Sequence, residues 1–353
     1  MNYDTPKPGG NQDGSACRKR ELRFFKAPTI FMIKWGSRRM AKKKTISFLL
    51  KLAVSAALLA FFFLAKKISF AEIGRELRGA SWGWLALALS LNVVGLVAAS
   101  HRWRILTRAL GDDIPYGILF RSFLVSHFFG NFLPTRFGGD VVRIWDGSKY
   151  SRSLVRASAV VLVDRATGLI VLFLFALAAS LFRLDMAREI PVVWAALLLG
   201  AAGLFAIALF FLPAAGRWME RLPARGLLHK LKTKVLDLRA AILAYRKSPR
   251  AFAAATAWAV LLQLNVILFY ILIGKALHLS VPVLDYFIFI PVVLLVQTIP
   301  ISINGWGVRE ASYIKIFAFY GITAATAVSF SLLDAAFGLA VGLAGGVIYI
   351  LRK

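Results

Sequence analysis

Two aspartates, Asp164 and Asp334, sit inside long apolar runs, and an arginine precedes each of them, Arg143 and Arg309. Each arginine closes a segment rich in helix breakers: P-T-R-F-G-G-D-V-V-R over 134–143 and P-I-S-I-N-G-W-G-V-R over 300–309. Pro134, Gly139, Val142 and Arg143 thus recur as Pro300, Gly305, Val308 and Arg309, and Asp164, Ala166, Gly168 and Leu169 recur as Asp334, Ala336, Gly338 and Leu339. An ionised side chain at the centre of a spanning helix costs at least about 2.5 kcal/mol, so these charges face the protein interior, a partner or water. The expectation is that Asp164 pairs with Arg143, because the adjacent Arg165 points in another direction on a helix, and that Asp334 pairs with Arg309.

Two chemistries are open to such a set. The pairs lock broken helices in place, or they open to take an anionic headgroup, with Asp164 and Asp334 as counter-charges. Helix breakers free backbone N–H groups, which suit a phosphate beside a guanidinium. The expected headgroup-binding residues are therefore Arg136, Gly138, Gly139, Arg143, Asn304, Gly305, Arg309 and Glu310. The bland alternative is that the glycines only permit a turn and close packing. His127, Asn131, Gln297 and Ser302 supply neutral polar groups nearby, either as ligands or as interhelical hydrogen bonds. No catalytic residue, metal ligand or cofactor is expected: the one cysteine, Cys17, and four histidines carry no metal spacing.

The elements that must hold these residues are helices in a bilayer. Over 353 residues the chain is 59% hydrophobic, with a mean hydropathy of +0.70, and it contains several apolar runs near the 20 residues that cross a membrane. Six spans are predicted, at about 46–65, 82–100, 154–182, 190–212, 250–277 and 322–351. The apolar stretches 114–133 and 283–300 each stop at a Pro and a Gly-containing loop. The return path 136–153 is too polar to face lipid, so both stretches are predicted as re-entrant helical hairpins. The fold class is all-α and polytopic, with repeat A at about 82–182 and repeat B at about 250–351.

A net charge of +27 lies in blocks between the spans, where it sets topology and meets anionic lipid; nucleic acid is not an expected partner. The first 45 residues carry twelve Lys or Arg against three acids and read as a basic disordered tail, dispensable if translation starts at Met40. The membrane domain is 46–353, interrupted by a basic amphipathic segment at 214–249 on the cytoplasmic face. Basic blocks mark the inside, so both termini are expected in the cytoplasm and the two repeats are inverted, an arrangement found in secondary transporters. Trp82, Trp84, Trp103, Trp145 and Trp258 lie near span ends and are expected in interfacial belts.

The two Pro/Gly motifs and the aspartate-bearing helices after them resemble the lysylphosphatidylglycerol synthase transmembrane-region family, or flippase-like domain, over about 46–351. The resemblance implies a bacterial inner-membrane protein that moves a lipid between leaflets. The best-known members are fused to a soluble aminoacyl-transferase; this sequence ends at Lys353 straight after its last helix, so transferase chemistry is not expected of it. The resemblance implies aminoacylated, hopanoid or glycolipid substrates, beside the anionic or polyprenyl-phosphate lipid that the arginines suggest. Two other readings stay open: a membrane-embedded headgroup transferase or hydrolase, and a non-transporting adaptor.

Overall fold

The computed structural model describes residues 69–132, 138–182, 191–221, 226–298 and 305–352, with positions 53, 223 and 302. The predicted span 46–65, the basic tail, Cys17, Met40, Arg136 and Asn304 lie outside the described residues. Among the described residues the ordered elements are helices: α1 (Phe70–Gly79), α2 (Trp82–Ala109), α3 (Tyr116–Phe132), α4 (Gly138–Ser151), α5 (Leu154–Phe182), α6 (Pro191–Phe211), α7 (Pro213–Arg221), α8 (Leu227–Leu243), α9 (Pro249–Ala276), α10 (Val283–Val296), α11 (Val308–Ala318) and α12 (Ala324–Leu351), with a 3₁₀ turn at Ala244–Lys247.

Five of these, α2, α5, α6, α9 and α12, are long and apolar enough to cross a membrane. They coincide with five of the six predicted spans, and the chain is a multi-pass membrane protein. α2 runs nine residues past the predicted end at 100, to Ala109. Hydropathy falls at His101, but nothing breaks the helix until Gly111, whose φ of +86° suits glycine. Its polar last turns are tolerated because Arg102, Trp103 and Thr107 are buried in protein. The predicted amphipathic segment 214–249 divides into α7, α8 and the 3₁₀ turn. Tyr245 in that turn donates from its hydroxyl to the Leu106 carbonyl at 2.9 Å, tying the segment to the end of α2.

Where hairpins are predicted, two pairs of shorter helices occur, α3 with α4 and α10 with α11. The order long, short, short, long is the same in α2–α5 and in α9–α12. α2 packs along α9, α3 along α12, and α10 along α5. Each first short helix therefore lies on the last long helix of the other half. Glycines let these backbones close up: a Cβ at Gly345 of α12 would stand 2.0 Å from the Leu124 carbonyl oxygen of α3, and one at Gly139 of α4 only 2.2 Å from that of Ser126. Half of the apolar stretch of α5 is buried but only 17% of that of α6, so α5 is interior and α6 peripheral. Phe289, Phe317 and Phe330 meet edge-to-face at ring-centroid distances of 5.1 to 5.5 Å in the larger core, formed mainly by α9–α12 with α5 and α6.

Candidate functional site

Two ion-pair clusters stand one in each half. In the first, Arg143 on α4 donates from Nη2 to Asp164 Oδ2 of α5 at 2.8 Å, the pairing predicted from the sequence. Asp164 also accepts from Arg102 Nε of α2 at 2.6 Å, and Arg102 reaches the Asp164 backbone carbonyl as well. Sequence reasoning missed Arg102, which it assigned to a topogenic basic block; its place one turn beyond an apolar run on the same helix was the available signal. Arg165 does point elsewhere, forming a two-pronged contact with Asp140 at 2.9 and 3.0 Å. Arg143 is 2% exposed, with its guanidinium carbon 4.5 Å from the ring centres of both Trp103 and Phe123. Trp103 is thus a core residue, 1% exposed, and not part of an interfacial belt: the arginine needs an aromatic neighbour more than the bilayer surface needs this indole. Trp82 and Trp84, by contrast, are exposed.

In the second cluster Arg309 Nη1 of α11 bonds Asp334 Oδ2 of α12 at 2.9 Å, again the predicted pair. Arg309 Nη2 also reaches Glu310 Oε1 at 2.9 Å. Glu310 takes further donors from Ser331 Oγ at 2.6 Å and from the Gly307 N–H at 2.6 Å. That last contact caps α11, and it means that the Gly307 amide is satisfied within the protein. Gly305 and Gly307 have φ of +82° and +85°, so the turn requires glycine at both positions. In the first half, buried Gly138 and Gly139 open α4, and the tight approach of Gly139 to Ser126 gives that glycine a packing role.

The clusters border two adjoining cavities of about 430 and 470 Å³, within the range of small-ligand sites. Ala99, Phe123, His127, Asn131, Leu262 and Leu294 line both, so together they form one chamber at the interface of the two halves. Arg102, Arg143, Asp164 and Arg165 border its first part, Arg309 and Asp334 its second. Arg143 and Asp164 have side chains 2% and 9% exposed, whereas Arg165 is 47% exposed and Asp334 21%. The charges within reach of a ligand are therefore Arg165 in one part and Asp334 in the other. Asn131 donates to the Gly338 carbonyl at 2.7 Å, so it serves as interhelical contact while also lining the chamber. Asn92 and Asn265, which sequence reasoning did not single out, also face the chamber.

A match to the lysylphosphatidylglycerol synthase TM region runs over residues 48–346. A UPF0104 membrane protein of Methanothermobacter thermautotrophicus is 38% identical over 96 residues, which cover 27% of this chain and 28% of that protein. With the family match extending over both clusters, both short helix pairs, four of the long apolar helices and most of the fifth, the chain belongs to the lysylphosphatidylglycerol synthase TM region family.

Proposed function

We propose that this protein moves a lipid with a phosphate-bearing headgroup between the leaflets of the bacterial cytoplasmic membrane, without itself catalysing a covalent reaction. The observation that carries this reading is the chamber bordered by buried ion pairs between two similarly ordered halves, among helices long and apolar enough to cross a membrane. A headgroup needs such a shielded path because charge is costly in hydrocarbon. Arg165 and the hairpin end at Gly139, which lines the chamber, are the phosphate contacts in this reading, with Arg143 and Arg309 setting the field behind them. Asp164 and Asp334 are the counter-charges.

The short helices support re-entrant hairpins. At 1.5 Å per residue, α4 and α10, of 14 residues each, extend about 21 Å, less than the roughly 30 Å of a bilayer core. With the spans taken from charge placement, the two halves are inverted and both termini are cytoplasmic. Exchanging which half is closed would then expose the chamber to one side and then the other. The test is headgroup movement in proteoliposomes with zwitterionic, anionic, aminoacylated, polyprenyl-phosphate and hopanoid lipids. Selective movement that is lost in an Asp334→Asn variant recovered folded supports translocation; product formation in detergent, where no leaflets exist, would instead establish an enzyme.

A further inference from the structure

The amphipathic stretch expected at 214–249 does two different things in the structure. At about 100° per residue, Leu228, Leu231, Val235, Leu238 and Ile242 fall on one stripe of α8. The far end of that stripe is covered: Ile242 is buried and, with Leu238, packs in the core that holds Trp103. Its near end is bare, with Leu228 66% and Leu231 59% exposed. α7 adds Trp218, 65% exposed, and on the same side of that helix the exposed Arg217 and Arg221. The other side of α7 is closed by Gly216, which is buried against α8: a Cβ there would stand 2.4 Å from the guanidinium of Arg239.

The end of a span holds this bare surface in place. Arg239 donates from Nε to the Phe210 carbonyl at 3.0 Å and from Nη2 to that of Leu212 at 2.8 Å, capping α6. Lys232 Nζ reaches the Glu220 carbonyl at 2.5 Å, which keeps the start of α8 beside the end of α7. Leu209 and Leu212 at the close of α6 are exposed as well, so exposed apolar side chains continue from that peripheral span into α7 and α8. Charge decides what covers them. Arg217, Arg221 and Lys234 are exposed and, among the described residues, unpaired, and the segment 217–250 carries ten Lys or Arg against two acids, Glu220 and Asp237. Tryptophan and leucine beside arginine and lysine, where a span leaves the hydrocarbon, suit a helix lying in a bilayer surface, and a cationic rim favours anionic headgroups. We infer that α7 and the first turns of α8 are a docking surface for anionic phospholipid, with Trp218, Leu228 and Leu231 at the acyl boundary and Arg217, Arg221 and Lys234 on headgroup phosphates. None of these residues lines the chamber, so the surface stands whether or not the protein moves lipid.

Spin labels on the full chain in vesicles test the contact. With the one cysteine removed as Cys17→Ser, Leu231→Cys puts a nitroxide on the stripe and Thr233→Cys puts one on the exposed opposite side of α8, each protein being recovered folded by size exclusion. In phosphatidylglycerol-rich vesicles the 231 label should collide mainly with oxygen, which concentrates in lipid, and the 233 label mainly with a water-soluble nickel chelate. Each Lys or Arg near an anionic surface strengthens binding about fivefold, so an Arg217→Gln, Arg221→Gln, Lys234→Gln variant loses roughly a hundredfold. Its 231 label should return to water, as should that of the unaltered surface in phosphatidylcholine. A 231 label that meets nickel as freely as the 233 label in anionic vesicles overturns the inference, because the surface is then simply solvated. Shielding from both reagents, in detergent as in vesicles, overturns it in favour of a protein partner or a second copy. Oxygen contact that persists in phosphatidylcholine and in the triple variant overturns the anionic assignment and leaves an apolar bilayer contact alone.

Discussion

Asp164 and Asp334 occupy matching places in the two halves, yet neutralising them is predicted to have opposite consequences. Asp164 is the shared acceptor of two buried guanidiniums, Arg102 at 2.6 Å and Arg143 at 2.8 Å, whose side chains are 7% and 2% exposed. Asp164→Asn removes the charge between them. An amide oxygen can accept from one, and its NH₂ faces the other. Stripping a buried pair of one partner costs about 3–5 kcal/mol, a large share of the 5–15 kcal/mol typical of native stability. Among the described residues Asp334 has one partner, Arg309, which keeps Glu310 at 2.9 Å when Asp334 is neutralised, and its own side chain is 21% exposed. Asp334→Asn should therefore cost about 1 kcal/mol. In detergent, thermal unfolding followed by size-exclusion recovery should place Asp164→Asn roughly 5–10 °C below wild type and Asp334→Asn within about 2 °C of it. Asp334→Asn should then fold but lose headgroup movement. Equal melting temperatures for the two variants, or a lower one for Asp334→Asn, would refute the division into a structural and an accessible carboxylate.

Three further perturbations separate packing from binding. Gly139→Ala puts a methyl 2.2 Å from a backbone oxygen of α3; the α3–α4 pair must part, and a loss of about 2–4 kcal/mol should be visible in the same melting assay. Trp103→Leu removes one of two rings 4.5 Å from the Arg143 guanidinium and opens a void, so a cost of about 3 kcal/mol is expected, whereas Trp82→Leu at an exposed site should change the melting temperature little. Arg165→Gln leaves the buried Asp140 with Arg143 Nη1 at 3.7 Å, so a loss of about 1–3 kcal/mol is expected in the melting assay, and in the protein recovered folded headgroup movement should slow at least about tenfold; unchanged movement would remove Arg165 from the phosphate site.

Much of this arrangement is local and therefore legible in the chain itself. Spans at 154–182, 190–212, 250–277 and 322–351 follow from apolar runs of bilayer length, and the helix ends fall within two residues of them. The Arg143–Asp164 and Arg309–Asp334 pairs follow from the repeated motif together with the cost of a lone charge in hydrocarbon. The positive-φ glycines at 305 and 307 sit where the sequence breaks its helix. Membership of the family was likewise carried by those motifs.

What the tertiary structure alone decided is which partner each buried group meets and which charges a ligand can reach. A helix that is apolar all round carries no stripe that says which side faces protein, so nothing in the sequence of α2 or α9 announces that Asn92 and Asn265 share a wall with Asn131. Arg102 belongs to a basic run by composition and to Asp164 by packing. Trp103 lies near a span end by position and against Arg143 by fold. The exchange of α3 onto α12 and of α10 onto α5 brings together residues that lie more than a hundred positions apart in the chain. Burial depends on that closure, and so the identical residue types of the two halves end as a sequestered Arg143–Asp164 pair in one and a reachable Asp334 in the other.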